Sequence, residues 1–149
     1  MEKIAVFVND AAHARHLLQP MLAAADSAHW ILVACPPTLT RHVGRWVTKQ
    51  ARQAWRQRWS DELLAQIEPD LKAQPGSQVE RLLASKPLIE VSARLKARLP
   101  GVRLLDARRP ALGRQDEPLT AAQPADPTSR WAGTVAAATG LTAVLALAD

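Results

Sequence analysis

The sequence predicts a single α/β domain built on an open, parallel, five-stranded sheet. Three observations carry that prediction. Short apolar runs of four to six residues alternate along the chain with longer segments whose apolar residues recur at three and four. Two of the runs, Ile4–Val8 and Trp30–Ala34, are apolar without interruption, which suits strands buried on both faces. Residues that start or stop helices stand between the segments: Asn9-Asp10, Pro36-Pro37, Pro75-Gly76 and Pro100-Gly101. Strand and helix therefore alternate, and right-handed crossovers follow.

The first strand belongs to Lys3–Asp10, KIAVFVND, predicted to be central in the sheet, with its polar end opening onto any site. Ala11–Ala25 reads as a helix through Ala14, Leu17, Leu18, Met21, Leu22 and Ala25, with Asp10 as its N-cap. Pro20 should kink or shorten it. Trp30–Ala34, WILVA, is the second strand. A long helix is predicted over Thr40–Ile67, with Val43, Val47, Ala51 and Ala54 on one side and Arg41, Arg45, Lys49, Arg52 and Arg56 on the other. Trp55 and Trp59 flank the basic stripe, and Pro69 and Pro75-Gly76 close the segment.

Val79–Ala84 alternates more than the first two strands, which suits an edge. Ser85 is the expected cap of the next helix, Pro87 falls in its first turn, and Leu88, Ile89, Val91, Leu95 and Leu99 form its apolar face. Val102–Leu105 is the fourth strand and ends at Asp106. Residues 107–128 have no usable period, hold Pro110, Pro118, Pro124 and Pro127, and are expected to form a long surface loop. Ser129 caps a last helix, Arg130–Thr139, and Thr142–Leu147 is the fifth strand.

Composition narrows the setting. The 149 residues fit one domain, and 48% apolar with 22% charged is ordinary for a globular protein. Cys35 is the only cysteine, so an intrachain disulfide is excluded and a thiolate zinc site is not expected. Glu2 and Lys3 open directly onto a strand, so no leader is read. Trp131–Ala148, the most apolar stretch, is rich in alanine and broken by glycine and threonine, so no membrane span is expected. A reduced, cytoplasmic setting is the expectation. The net charge of +5 is uneven: Arg41 to Arg58 carries six basic residues and no acid. Such a surplus attracts phosphate-bearing partners or serves solubility.

The order and spacing of these segments resemble the universal stress protein family. The resemblance rests on KIAVFVND, on WILVA, on SKPLIEVSARLKARLPGVRLLDARR, where Ser85-Lys86-Pro87 and Ile89 match the family's entry to its third helix, and on Ser129 with TAVLALA. It implies a Rossmann-like or flavodoxin-like three-layer sandwich, strand order 3-2-1-4-5, helices on both faces, and a homodimer paired through the last strand, Thr142–Leu147. ATP-binding members hold triphosphate with a loop of three glycines after strand four. With Ser129 as the terminal hydroxyl, those positions fall on Gln115, Pro118 and Thr128. None supplies the close backbone approach that glycine allows, and proline has no amide proton. ATP bound in the family's usual manner is therefore not expected, and no cofactor is assigned.

The family's strand order puts the switch point between strands one and four, where open sheets bind ligands. Asn9, Asp10, Asp106, Arg108, Arg109 and Ser129 are the candidate binding residues there. Asp10 and Asp106 either share a metal or proton, or cap a helix and start a turn. Arg108, Arg109 and Arg114 either grip an anion with side chains or sit in a solvated loop. His13 and His16 have metal-ligand spacing but no third ligand fixed by sequence, so no metal site is assigned. No nucleophile–base arrangement stands at a recognisable spacing, so no catalytic residue is assigned, and Cys35 is read as a small core residue. The Trp55–Trp59 stripe suits a core edge or subunit contact better than nucleic acid, which is not an expected partner. A regulatory or adaptor protein without enzymatic activity is the first reading; a nucleotide- or small-anion-binding module at the switch point is the alternative.

Overall fold

A computed structural model of the chain describes residues 1–24, 26–37, 46–110 and 117–120. Four strands and three helices follow in alternation: β1 Glu2–Val8, α1 Ala11–Ala24, β2 Ala28–Ala34, α2 Lys49–Lys72, β3 Gln78–Leu83, α3 Leu88–Arg98 and β4 Arg103–Asp106. The strands form one parallel sheet in the order β3-β2-β1-β4. β1 is an inner strand, pairing Phe7 with Val33 of β2 on one side and with Asp106 of β4 on the other. β3 is an edge among the described strands, as its alternating sequence predicted. The predicted fifth strand, its helix and Ser129 lie outside the described residues.

Period-two alternation divides the core in two. Ile4, Val6, Val8, Trp30, Leu32 and Ala34 face α1 and α2, meeting Ala14, Leu18 and Met21 of the first and Leu63, Leu64, Ile67 and Leu71 of the second. Ala5, Phe7, Ile31, Val33 and Leu104 face the other way, onto Leu88, Val91 and Leu95 of α3. Helices therefore cover both faces of the sheet. Gly76, at φ 78°, makes the turn from α2 into β3. A side chain there would be strained and would crowd Ser27.

Several boundaries differ from the sequence reading. Pro20 does not shorten α1, because the carbonyl it leaves unpaired lies on an exposed side, at His16. α2 begins at Lys49, where Thr48 turns extended and its hydroxyl accepts from the Ala51 amide at 3.1 Å. Pro69 does not end α2; it falls in the last turn and leaves only one carbonyl without its helical partner. Ile89 is exposed rather than core. Ser85 does not cap α3: the N-cap position is Pro87, and the Glu117 carboxylate accepts from the Leu88 amide at 2.7 Å. Glu117 belongs to the stretch read as a surface loop, yet Ala107, Arg108, Leu119 and Thr120 of that stretch are buried.

The faces of α2 are also reversed in its first half. Ala51 and Ala54 are exposed, whereas Arg52, Trp55, Arg56 and Trp59 are half-buried. Counting back from Leu71 through Ile67, Leu63 and Ser60 in steps of four and three leads to Arg56 and Arg52. The apolar face of the second half thus continues as a basic face in the first. Length explains why: 24 residues of helix span about 36 Å, against about 23 Å for a seven-residue strand, so the first turns of α2 overrun the sheet.

Candidate functional site

The carboxyl ends of β1 and β4 lie side by side and set the candidate site. The Phe7 carbonyl accepts from the Ala107 amide at 2.9 Å, carrying the ladder one residue past β4. Asn9 and Asp10 then leave β1 as Arg108 and Arg109 leave β4. Of the six candidate binding residues, five are brought together here: Asn9, Asp10, Asp106, Arg108 and Arg109. The sixth, Ser129, lies outside the described residues.

Arg108 and Asp106 form a closed pair. Nε reaches Oδ1 at 3.0 Å and the second guanidinium nitrogen reaches Oδ2 at 3.1 Å. The Arg108 amide also donates to Oδ1 at 3.2 Å, which makes the turn. The side chains are 6% and 7% exposed. Arg108 further donates to the Glu117 carbonyl, tying the following segment down over the strand ends. A bidentate, buried pair of this kind is strong because each charge is desolvated only in the presence of the other.

Asp10 caps α1 as expected: Oδ1 accepts from the His13 amide at 3.1 Å. Its other oxygen faces the Arg109 guanidinium at 3.4 Å. The amide bond lowers the Asp10 carboxyl below its usual range, partial burial opposes that, and Arg109 lowers it further. Asn9 Oδ1 accepts from the Arg109 amide at 2.7 Å, which fixes the backbone from which a 71% exposed guanidinium extends. Burial pushes the His13 imidazole below its usual value, more strongly than Asp10 holds it up.

The two aspartates therefore do not act as a shared pair. Each has its own arginine, and both oxygens of Asp106 are occupied. His13 is half-buried and His16 exposed, and no group of three metal-binding side chains forms among the described residues. Cys35 follows β2 in the core, and burial pushes its thiol up to about 12. It is a small core residue, as read from the sequence. Arg114 lies outside the described residues.

Sequence reasoning missed the Asp106–Arg108 pair and the cap from Glu117. An acid and a base two apart after a strand was the only local signal for the first. The second spans 29 residues and left none. No described helix is long and apolar enough to cross a membrane. No family model, curated protein or solved structure matches this chain.

Proposed function

We propose that the chain is a regulatory or adaptor protein of universal-stress type, without enzymatic activity and without ATP held in that family's usual way. The observation that carries this reading is the closed Asp106–Arg108 pair at the point where an open parallel sheet presents its ligands. A carboxylate that serves a substrate or metal needs an accessible lone pair. This one is 7% exposed and already accepts both nitrogens of a neighbouring guanidinium and a backbone amide. Pro118, which stands at one of the family's glycine positions, has no amide to offer a phosphate. In the same reading the chain is a cytoplasmic homodimer paired through Thr142–Leu147, and light scattering of the full chain should give twice the monomer mass.

A second reading, an anion-binding module at the switch point, is favoured by one feature, the exposed Arg109 guanidinium beside Asn9. A thermal-shift series with ATP, ADP, AMP and inorganic phosphate separates the two. The first reading expects no shift that depends on Arg109. A nucleotide-induced rise in Tm that Arg109→Ala removes overturns it in favour of the second, and turnover of a nucleoside triphosphate overturns both.

A further inference from the structure

A second concavity lies at the same end of the sheet, at its β3 border. It is a groove of about 730 Å³ between the overrunning first turns of α2 and the end of β3. Lys49, Arg52 and Arg56 line it with Gln53, Gln57 and Ser85, and Leu83 is its apolar member. Three cations fall within two turns, a row about 10 Å long. Among the described residues, no carboxylate lines the groove.

The arginines here differ from the other described ones. Arg15, Arg81, Arg94, Arg98, Arg103, Arg108 and Arg109 each sit within ion-pair distance of an acid. Arg58 is exposed and solvated. Arg52 and Arg56 have neither remedy among the described residues: both are half-buried, and the Nε of each is out of contact with solvent and has no hydrogen-bond partner. A guanidinium N–H withdrawn from water without an acceptor is unfavourable, and a second cation one turn away makes it worse.

We infer that this groove is a binding site for a small polyphosphate anion, a compound carrying at least two linked phosphate groups. Linked phosphates supply several acceptor oxygens along a line, which matches a row of cations better than a single compact anion does. Arginine suits them because its fork bonds two phosphate oxygens at once. Gln53 and Ser85 add neutral donors; the Gln57 amide already donates to the Asp61 carboxylate at 3.1 Å. The groove's volume falls within the range of small-molecule sites. The site is separate from the switch point and from Arg109.

Calorimetric titration of the full chain with inorganic pyrophosphate and tripolyphosphate, at about 50 mM salt where screening is modest, tests this. Saturable binding is expected, tighter for tripolyphosphate. Arg52→Gln and Arg56→Gln should each weaken it about tenfold. Arg58→Gln, which removes the same charge from an exposed position of the same helix, should change it less than about twofold. Ser85→Glu, outside α2, should abolish binding by placing a carboxylate in the groove. The inference is overturned by any of three results: no heat with either anion at about 1 mM, equal losses in Arg58→Gln and Arg52→Gln, or binding that only Arg109→Ala removes. Tight binding of a single-stranded oligonucleotide with no response to either polyphosphate would also overturn it.

Discussion

Two corners of one sheet edge hold arginines in opposite circumstances. At the β1–β4 corner, Arg108 is almost wholly buried, and every nitrogen bond described for it ends on an oxygen of the chain itself. At the β3 corner, Arg52 and Arg56 are half-buried, and their Nε atoms end on nothing described. The first arrangement is complete and holds the backbone in place. The second is incomplete and leaves charge over. The difference teaches that burial of a cation does not by itself mark a binding site; what marks one is burial without a counter-charge. By that measure the Asp106–Arg108 pair is complete, and the groove is where the surplus charge lies.

The largest effect should come from breaking the completed corner. Arg108→Met leaves Asp106 buried without its guanidinium and releases the Glu117 carbonyl. Loss of one partner of a buried pair costs about 3–5 kcal/mol, so the urea midpoint should fall steeply. A loss below about 1 kcal/mol would mean that the pair is not structural, and the contrast between the corners would collapse.

The two corners were unequally legible in the sequence. Ile4–Val8 and Trp30–Ala34 named themselves, because a strand buried on both faces has to be apolar at every position. The N-cap at Asp10 was legible because its partner is three residues away. The closed pair was not, because two residues after a strand can either project into solvent or fold back, and the Glu117 backbone that decides this lies nine residues on. The groove was hidden for another reason. Ala51 and Ala54 fit either face of a helix, so they give no direction, and the spacing of the basic stripe says only that it lies opposite them, not which side meets the sheet. The register of Leu63, Ile67 and Leu71, extended backward, carries the correct face. Reading it that way also requires the helix to be longer than the strands it crosses, and that length is fixed by Thr48, not by the periodicity.

A middle-sized effect sharpens the comparison from the balanced side. Asp10→Ala removes the side-chain acceptor from the α1 amide and the ion-pair partner of Arg109, and should cost about 1 kcal/mol at neutral pH. The cost should depend on pH. The folded chain holds the Asp10 carboxyl below its ordinary value of 3.8, so the folded state binds a proton less readily than the unfolded one. Stability gained from Asp10 is therefore fully present above 3.8 and is lost as pH falls through the lower, folded value. Denaturation curves of the wild type and Asp10→Ala should converge as the solution is acidified through that window. A gap that persists at the acid end would mean the side chain acts through packing rather than charge.

The smallest effect carries the opposite sign. Replacing Arg52 and Arg56 together with Met removes two cations that have no acid beside them among the described residues, and Arg52 stands near the positive end of the α2 dipole. The methionines keep the straight stems that cover the helix face, and methionine propagates a helix about as well as arginine. Relief of like-charge repulsion is worth a few tenths of a kcal/mol, and relief at the helix end a similar amount. The double variant should therefore match or exceed the wild type by up to about 1 kcal/mol. The gain should shrink as salt rises, because the repulsion being removed is screened over about a Debye length. Set beside Arg108→Met, the experiment applies one substitution at two corners and expects opposite signs. A loss at both corners would show that Arg52 and Arg56 are held by the fold as Arg108 is, and would leave the groove without the surplus charge on which its anion depends.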